Sequence, residues 1–206
     1  DTLSLHDALP ISITWTADAN LPAGTIVTIQ VDALLTDIGV VTGISGGVGT
    51  GGETYYALQG QVIDAAAGQI TVDRFLAAIN LGPAAGEIPA AISDAGAFIR
   101  FDEDNARYAG SLDRADLTAF ATRIRDTANW ERNDAVGYAL IDGSLFGIAP
   151  PPPPPGSMTE LAAGELLFVA IDSDGPDAIA FVVLRDLLAG TEIAFTDKNY
   201  TVAAPS

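Results

Sequence analysis

Ile13 and Trp15 alternate with Ser12, Thr14 and Thr16. After a turn at LPAG the same period returns, with Thr25, Val27, Ile29 and Val31 set against Ile26, Thr28 and Gln30. A two-residue period puts successive side chains on opposite faces of an extended chain, so both runs predict β-strands with one buried face. Further strands are predicted over residues 39–44, 53–62, 75–80, 96–101 and 136–141, each bounded by Gly, Pro or Asp. The stretch VDRFLAAI, which contains most of 75–80, also suits a helical turn, and that alternative stays open.

One segment changes period. In SLDRADLTAFATRIRDTANW, Leu117, Phe120, Ala121 and Ile124 recur at helical spacing. Asp113 is the expected N-cap, with Asp116 three residues on, and Arg123 and Arg125 complement the dipole at the other end. The helix is expected to plug one end of a pair of sheets, with Trp130 capping its end and Trp15 anchoring the core.

Six consecutive prolines, Pro150–Pro155, then interrupt the chain. Proline has no amide hydrogen and favours extended polyproline II, so residues 150–157 read as a semi-rigid spacer. The other use of such a run, docking in an aromatic groove, lacks a flanking basic residue here. Beyond the spacer, ELLFVAI and AIAFVVLR are almost continuously apolar, as strands covered on both faces are, and TEIAFT follows. Three strands cannot bury enough surface to stand alone, so they are expected to dock onto residues 13–149. The expected fold is therefore mainly β: a β-sandwich with one short α-helix, completed by strands from after a polyproline linker.

The opening stretch changes the candidate chemistry. Thr2–Ile11 (TLSLHDALPI) is identified as the one-frame translation of a short-read sequencing adapter, so residues 1–12 are set aside as non-native. A genuine strand leading into Ile13 is the alternative. Setting aside Asp1 and Asp7 lowers the acidic count from 27 to 25 against 9 basic residues, and the net charge from -18 to -16. His6, the single histidine, goes with them, and the chain has no cysteine. Zinc and thiol chemistry thereby lose their ligands. With 49% apolar residues a core is available, while no apolar run is long enough for a membrane helix. The acidic surface repels nucleic acid and anionic lipid and attracts cations.

GELLFVAIDSDGPDAIAFVVLRDLLAGTEIAFTDKNY resembles the opening of a β-rich module repeated in large secreted bacterial proteins. The module's pattern begins GDIAFVGYNADGxDxFAFVxLVDIxAGTxIxFTDNxW. Its later phrases resemble ITWTA at 13–17, AGTIVTI at 23–29, GETYYALQG at 52–60, FLAAIN at 75–80, DNARYAG at 104–110 and ANW at 128–130. TDKNY departs from the pattern. The resemblance implies a fragment holding the later part of one repeat, the spacer and the first part of the next. It also implies export, with neighbouring repeats of the same chain as partners, and it is silent on chemistry.

Candidate sites follow from residue type and spacing. GISGG at 43–47 fits a nucleophile elbow, but a glycine run follows where a helix is needed. GVGTGG at 47–52 leads into a strand, so it offers no helix N-terminus to a pyrophosphate and reads as a flexible loop. NYT at 199–201 fits a glycosylation sequon. Calcium, which takes oxygen ligands, is the cofactor the chain could hold, at Asp102 and Asp104 of FDEDN or at Asp172, Asp174 and Asp177 of DSDGPD. The alternative for both stretches is an ordinary acidic turn.

These readings favour a non-catalytic structural or adhesion module, extracellular, with no nucleic acid and no membrane insertion, and with an unidentified carbohydrate or surface ligand. The rival is a Ca²⁺-dependent carboxylate hydrolase, acting on a glycoside or phosphoester through acids near Asp102–Asp104. A cleft holding two acids would favour the enzyme.

Overall fold

The alternating runs assemble into two six-stranded sheets in a computed structural model. It describes residues 11–45, 47–49, 53–64, 69–82, 87–138, 158–174 and 176–197. The first sheet contains β1 (Ser12–Thr16), β4 (Val40–Ile44), β5 (Thr54–Asp64), β6 (Gln69–Leu81), β7 (Phe98–Phe101) and β12 (Glu192–Thr196). The second contains β2 (Ile26–Gln30), β3 (Leu35–Thr36), β8 (Asn105–Tyr108), β9 (Trp130–Asn133), β10 (Leu166–Asp172) and β11 (Ala178–Val183). The orders are β4-β1-β12-β5-β6-β7 and β3-β2-β11-β10-β8-β9. The fold is a β-sandwich.

The strands that follow the proline run complete both sheets. β12 pairs antiparallel with β1 on one side and β5 on the other. β11 lies between β2 and β10, and β10 between β11 and β8. Central strands covered on both faces should be apolar throughout, and every residue of β10 and β11 is buried. On β10 the covering comes from β6 of the other sheet and from α2 (Leu117–Arg125).

Aromatic rings fill the space between the sheets. Trp15 of β1 meets Phe181 of β11 edge to face at 5.4 Å between centroids, and Phe181 meets Phe195 of β12 at 5.1 Å. At the other side of the sandwich, Phe101 of β7 meets Trp130 of β9 at 5.0 Å. Trp15 is fully buried and its indole N–H donates to the Ile38 carbonyl at 2.6 Å. Burial of aromatic area with the N–H satisfied is the expected state of a core tryptophan.

Several expectations are corrected. The N-cap of α2 is Asp116, whose carboxylate accepts from the Ala119 N–H, while Asp113 accepts from Ala115 two residues on. Both aspartates suit a cap, but only Asp116 immediately precedes the helix, where its carboxylate reaches the N–H of the third helical residue, Ala119. Residues 75–80 are strand as expected, inside β6, where Phe75, Ala77, Ala78 and Asn80 pair with β5 rather than with a turn of their own. Residues 136–138 are irregular, not strand; 139–141, the proline run, the NYT sequon and the adapter-like residues 1–10 lie outside the described residues. Ile11 and Ser12, within the stretch set aside as non-native, are buried, and Ser12 pairs with both Thr196 and Ile44. A helical turn, α1 (Ala90–Asp94), unforeseen in the sequence, bridges β6 to the parallel strand β7. Trp130 caps α2 as expected: its indole N–H donates to the Ile124 carbonyl at 2.7 Å.

Candidate functional site

The acids singled out by sequence lie in loops at one end of the sandwich. FDEDN turns from β7 into β8, and DSDGPD turns from β10 into β11. Because β8 pairs with β10, the two turns lie side by side. The structure joins part of each into one network and leaves the rest out.

Asn105 is the centre of that network, and it is fully buried. Its amide nitrogen donates to Asp104 Oδ1 at 2.8 Å, to Asp174 Oδ2 at 2.8 Å and to the Asn133 carbonyl at 3.2 Å. Its amide oxygen accepts from the Ser173 N–H at 2.8 Å. One neutral side chain thus ties the start of β8 to the end of β9 and to the β10–β11 turn. Asp134 enters from the far side, where Oδ1 accepts from the Asp104 N–H at 3.2 Å. Partial burial, followed by the charges of Asp174 and Asp134, raises the Asp104 carboxyl above the usual range for aspartate.

The remaining candidates have other partners. Asp172 is buried and accepts from the Asp174 N–H at 3.0 Å; a Cβ added to Gly137 would collide with its carboxylate. Asp177 accepts from the Val48 N–H at 2.9 Å, and its carbonyl accepts from Val31. Asp102 points to solvent, 3.9 Å from Arg100. Glu103 lies 3.6 Å from Arg132. Among the described residues, no three acids or histidines converge as a metal site. Between Asp104 and Asp174, where a cation would neutralise both, the Asn105 amide supplies the positive end of a dipole instead. A calcium cage needs several oxygens aimed at one point; here the Asn105 amide nitrogen bonds to both carboxylates.

The glycine stretches are architectural too. Gly43 has φ +127°, and a Cβ there would press on the β1 backbone at Ser12 and Ile13. Ser45 accepts from the Gly47 N–H at 3.1 Å, in a turn rather than at the head of a helix. The expected flexible loop is anchored where it is described: Val48 is buried, and the Gly49 N–H donates to the Tyr55 hydroxyl at 2.9 Å. That hydroxyl in turn donates to Glu53 Oε2 at 2.6 Å. Burial, followed by the Glu53 charge, holds the Tyr55 phenol well above its ordinary range, so it remains a donor.

A depression of about 250 Å³ lies elsewhere, beside the start of β12, lined by Gln59, Asp73, Arg74, Met158, Glu160 and Glu192 among others. Arg74 and Glu160 pair across it at 3.1 Å. Gln59 donates to the Thr159 carbonyl and accepts from the Leu161 N–H, both at 2.8 Å, so its amide is spent holding the incoming chain.

Asn105 was visible in the sequence only as one more oxygen in FDEDN, and Asp134 and Ser173 carried no signal at all. No protein-family model, curated protein or solved structure matches the chain.

Proposed function

We propose that the chain is a non-catalytic structural or adhesion module of a secreted, repeat-containing bacterial protein. Its work is spacing, adhesion or display of another domain, with neighbouring repeats as partners. The observation that carries this reading is the commitment of the acidic loop residues to architecture. Asp104 and Asp174 accept from Asn105, and Asp177 accepts from a backbone N–H of the glycine loop. Carboxylates that a hydrolase would aim at substrate hold loops together instead. The resemblance to exported repeats supports the extracellular setting, and the cysteine-free composition does not argue against it.

One observation favours the rival hydrolase. A carboxyl raised by burial and by acidic neighbours, as Asp104 is, is the state a general acid requires. The two readings separate in an assay of the purified chain and its Asp104→Asn variant on chromogenic glycosides and phosphodiesters, with and without Ca²⁺, between about pH 4 and 8. The module predicts no turnover by either protein. Turnover that Asp104→Asn abolishes would overturn it.

A further inference from the structure

The topology divides the described chain into a receiver, residues 11–138, and a donor, residues 158–197. Remove the donor and each sheet splits. β1 loses its link to β5 because only β12 lies between them, and β2 loses its link to β8 because β11 and β10 lie between them. The receiver is then two separated half-sheets on each side of a core whose middle is gone, since Phe168, Phe181 and Phe195 all come from the donor.

The donor is also latched at both ends by receiver groups. At one end Gln59 holds Thr159 and Leu161, and the Gly164 N–H donates to the Leu76 carbonyl at 2.9 Å. At the other end Asn105 holds Ser173 and Asp174, and the Ile11 N–H donates to Asp197 at 3.0 Å. All of these partners are presented by the receiver's own strands and loops. None depends on the donor belonging to the same chain. The covalent tie is the stretch 139–157, whose contour at about 3.3 Å per residue reaches on the order of 60 Å.

We infer that the donor is exchangeable: residues 158–197 complete the receiver of a second copy of this chain as they complete their own, so that copies join by strand exchange. The occupant is a second copy because the receiver's registers and latches match this donor sequence residue by residue. Within one chain the linker gives the donor an effective concentration on the order of millimolar, so the closed monomer prevails at lower concentrations until its own pairing is impaired. The inference rests on topology and not on the adhesive reading, so either can fail without the other.

The test uses two full-length variants. Trp15→Asp spoils the receiver and leaves the donor intact; Phe181→Asp does the reverse. Each refolded alone is expected to lack a cooperative transition. Refolded together, they are expected to recover one transition with about half the wild-type amplitude, in a species with the mass of a heterodimer by light scattering. A mixture as unfolded as its components overturns the inference, and so does Phe181→Asp folding alone, because the donor would then be dispensable. As a second measurement, full-length chain lacking residues 142–155 is expected to run as a dimer. A monomer, folded or unfolded, counts against exchange.

Discussion

The Asn105 amide nitrogen donates to Asp174 Oδ2 at 2.8 Å across 69 positions of sequence, and the same nitrogen reaches Asp104 Oδ1 at an equal distance. Two carboxylates on neighbouring turns are thereby bridged by a neutral group. Replacing Asn105 by Ala leaves the buried Ser173 N–H without its acceptor and the two acids facing each other. An unsatisfied buried group costs about 1–3 kcal/mol, so with the added repulsion the expected loss is about 2–4 kcal/mol. For a chain of this size that is a fall in Tm of roughly 5–15 °C, measured by thermal circular dichroism. A fall under about 2 °C would mean the network is incidental.

Asn105→Asp tests whether the amide stands where a cation would. The substitution removes the bridging donor and adds a third carboxylate between Asp104 and Asp174. In EDTA the variant is expected to be destabilised at least as much as Asn105→Ala. Millimolar Ca²⁺ should recover several degrees, because oxygen ligands now converge without a competing donor. Wild-type protein is expected to melt at the same temperature in both buffers. A wild-type rise of several degrees with Ca²⁺ would show instead that these turns bind the ion.

Asp104→Asn gives a pH-dependent outcome of definite sign. The Asp104 carboxyl is raised in the folded state by burial and by Asp174 and Asp134, so folding favours its neutral form. Its contribution is present at pH below its unfolded value and is lost as pH rises through the higher folded value. At neutral pH the wild-type charge is therefore a cost that asparagine removes, while its amide oxygen can still accept from Asn105. The variant is expected to melt slightly higher than wild type at pH 7, with the gap closing as pH falls through the raised value. A gap that widens on acidification would contradict the assignment.

What the sequence revealed and what it hid follow one physical division. Period-two alternation in residues 12–16 and 25–31 marks strands because a single strand with one covered face writes its own pattern. The unbroken apolar runs of β10 and β11 announced central strands for the same reason. Short elements left no such mark: β3 has two residues, α1 has five, and β9 (WERN) exposes two of its four side chains. The acidic network was hidden for a different reason. Asp104 and Asp174 become neighbours only through the pairing of β8 with β10, a long-range register that no local motif encodes. The residue that joins them is an asparagine, which a search for charged ligands passes over.

Gly39 offers a test of the core that is free of the acidic end. Its φ is +81°, and an added Cβ would lie 2.7 Å from Trp15 Nε1 and 2.5 Å from the Thr16 carbonyl oxygen. The conformation alone costs an L-residue about 1–2 kcal/mol. The overlap adds more, since the indole cannot yield without breaking its bond to Ile38 and its edge contact with Phe181. Gly190 separates these effects: its φ is +84°, yet nothing lies within 4 Å of the added carbon. Gly190→Ala is therefore expected to lower Tm by roughly 2–8 °C, from conformation alone. Gly39→Ala should fall by at least twice that, with a red shift of tryptophan emission as the indole loses its enclosure. Equal losses at the two positions would mean that the Trp15 pocket yields freely and that the left-handed backbone, not the packing of the indole, sets the cost.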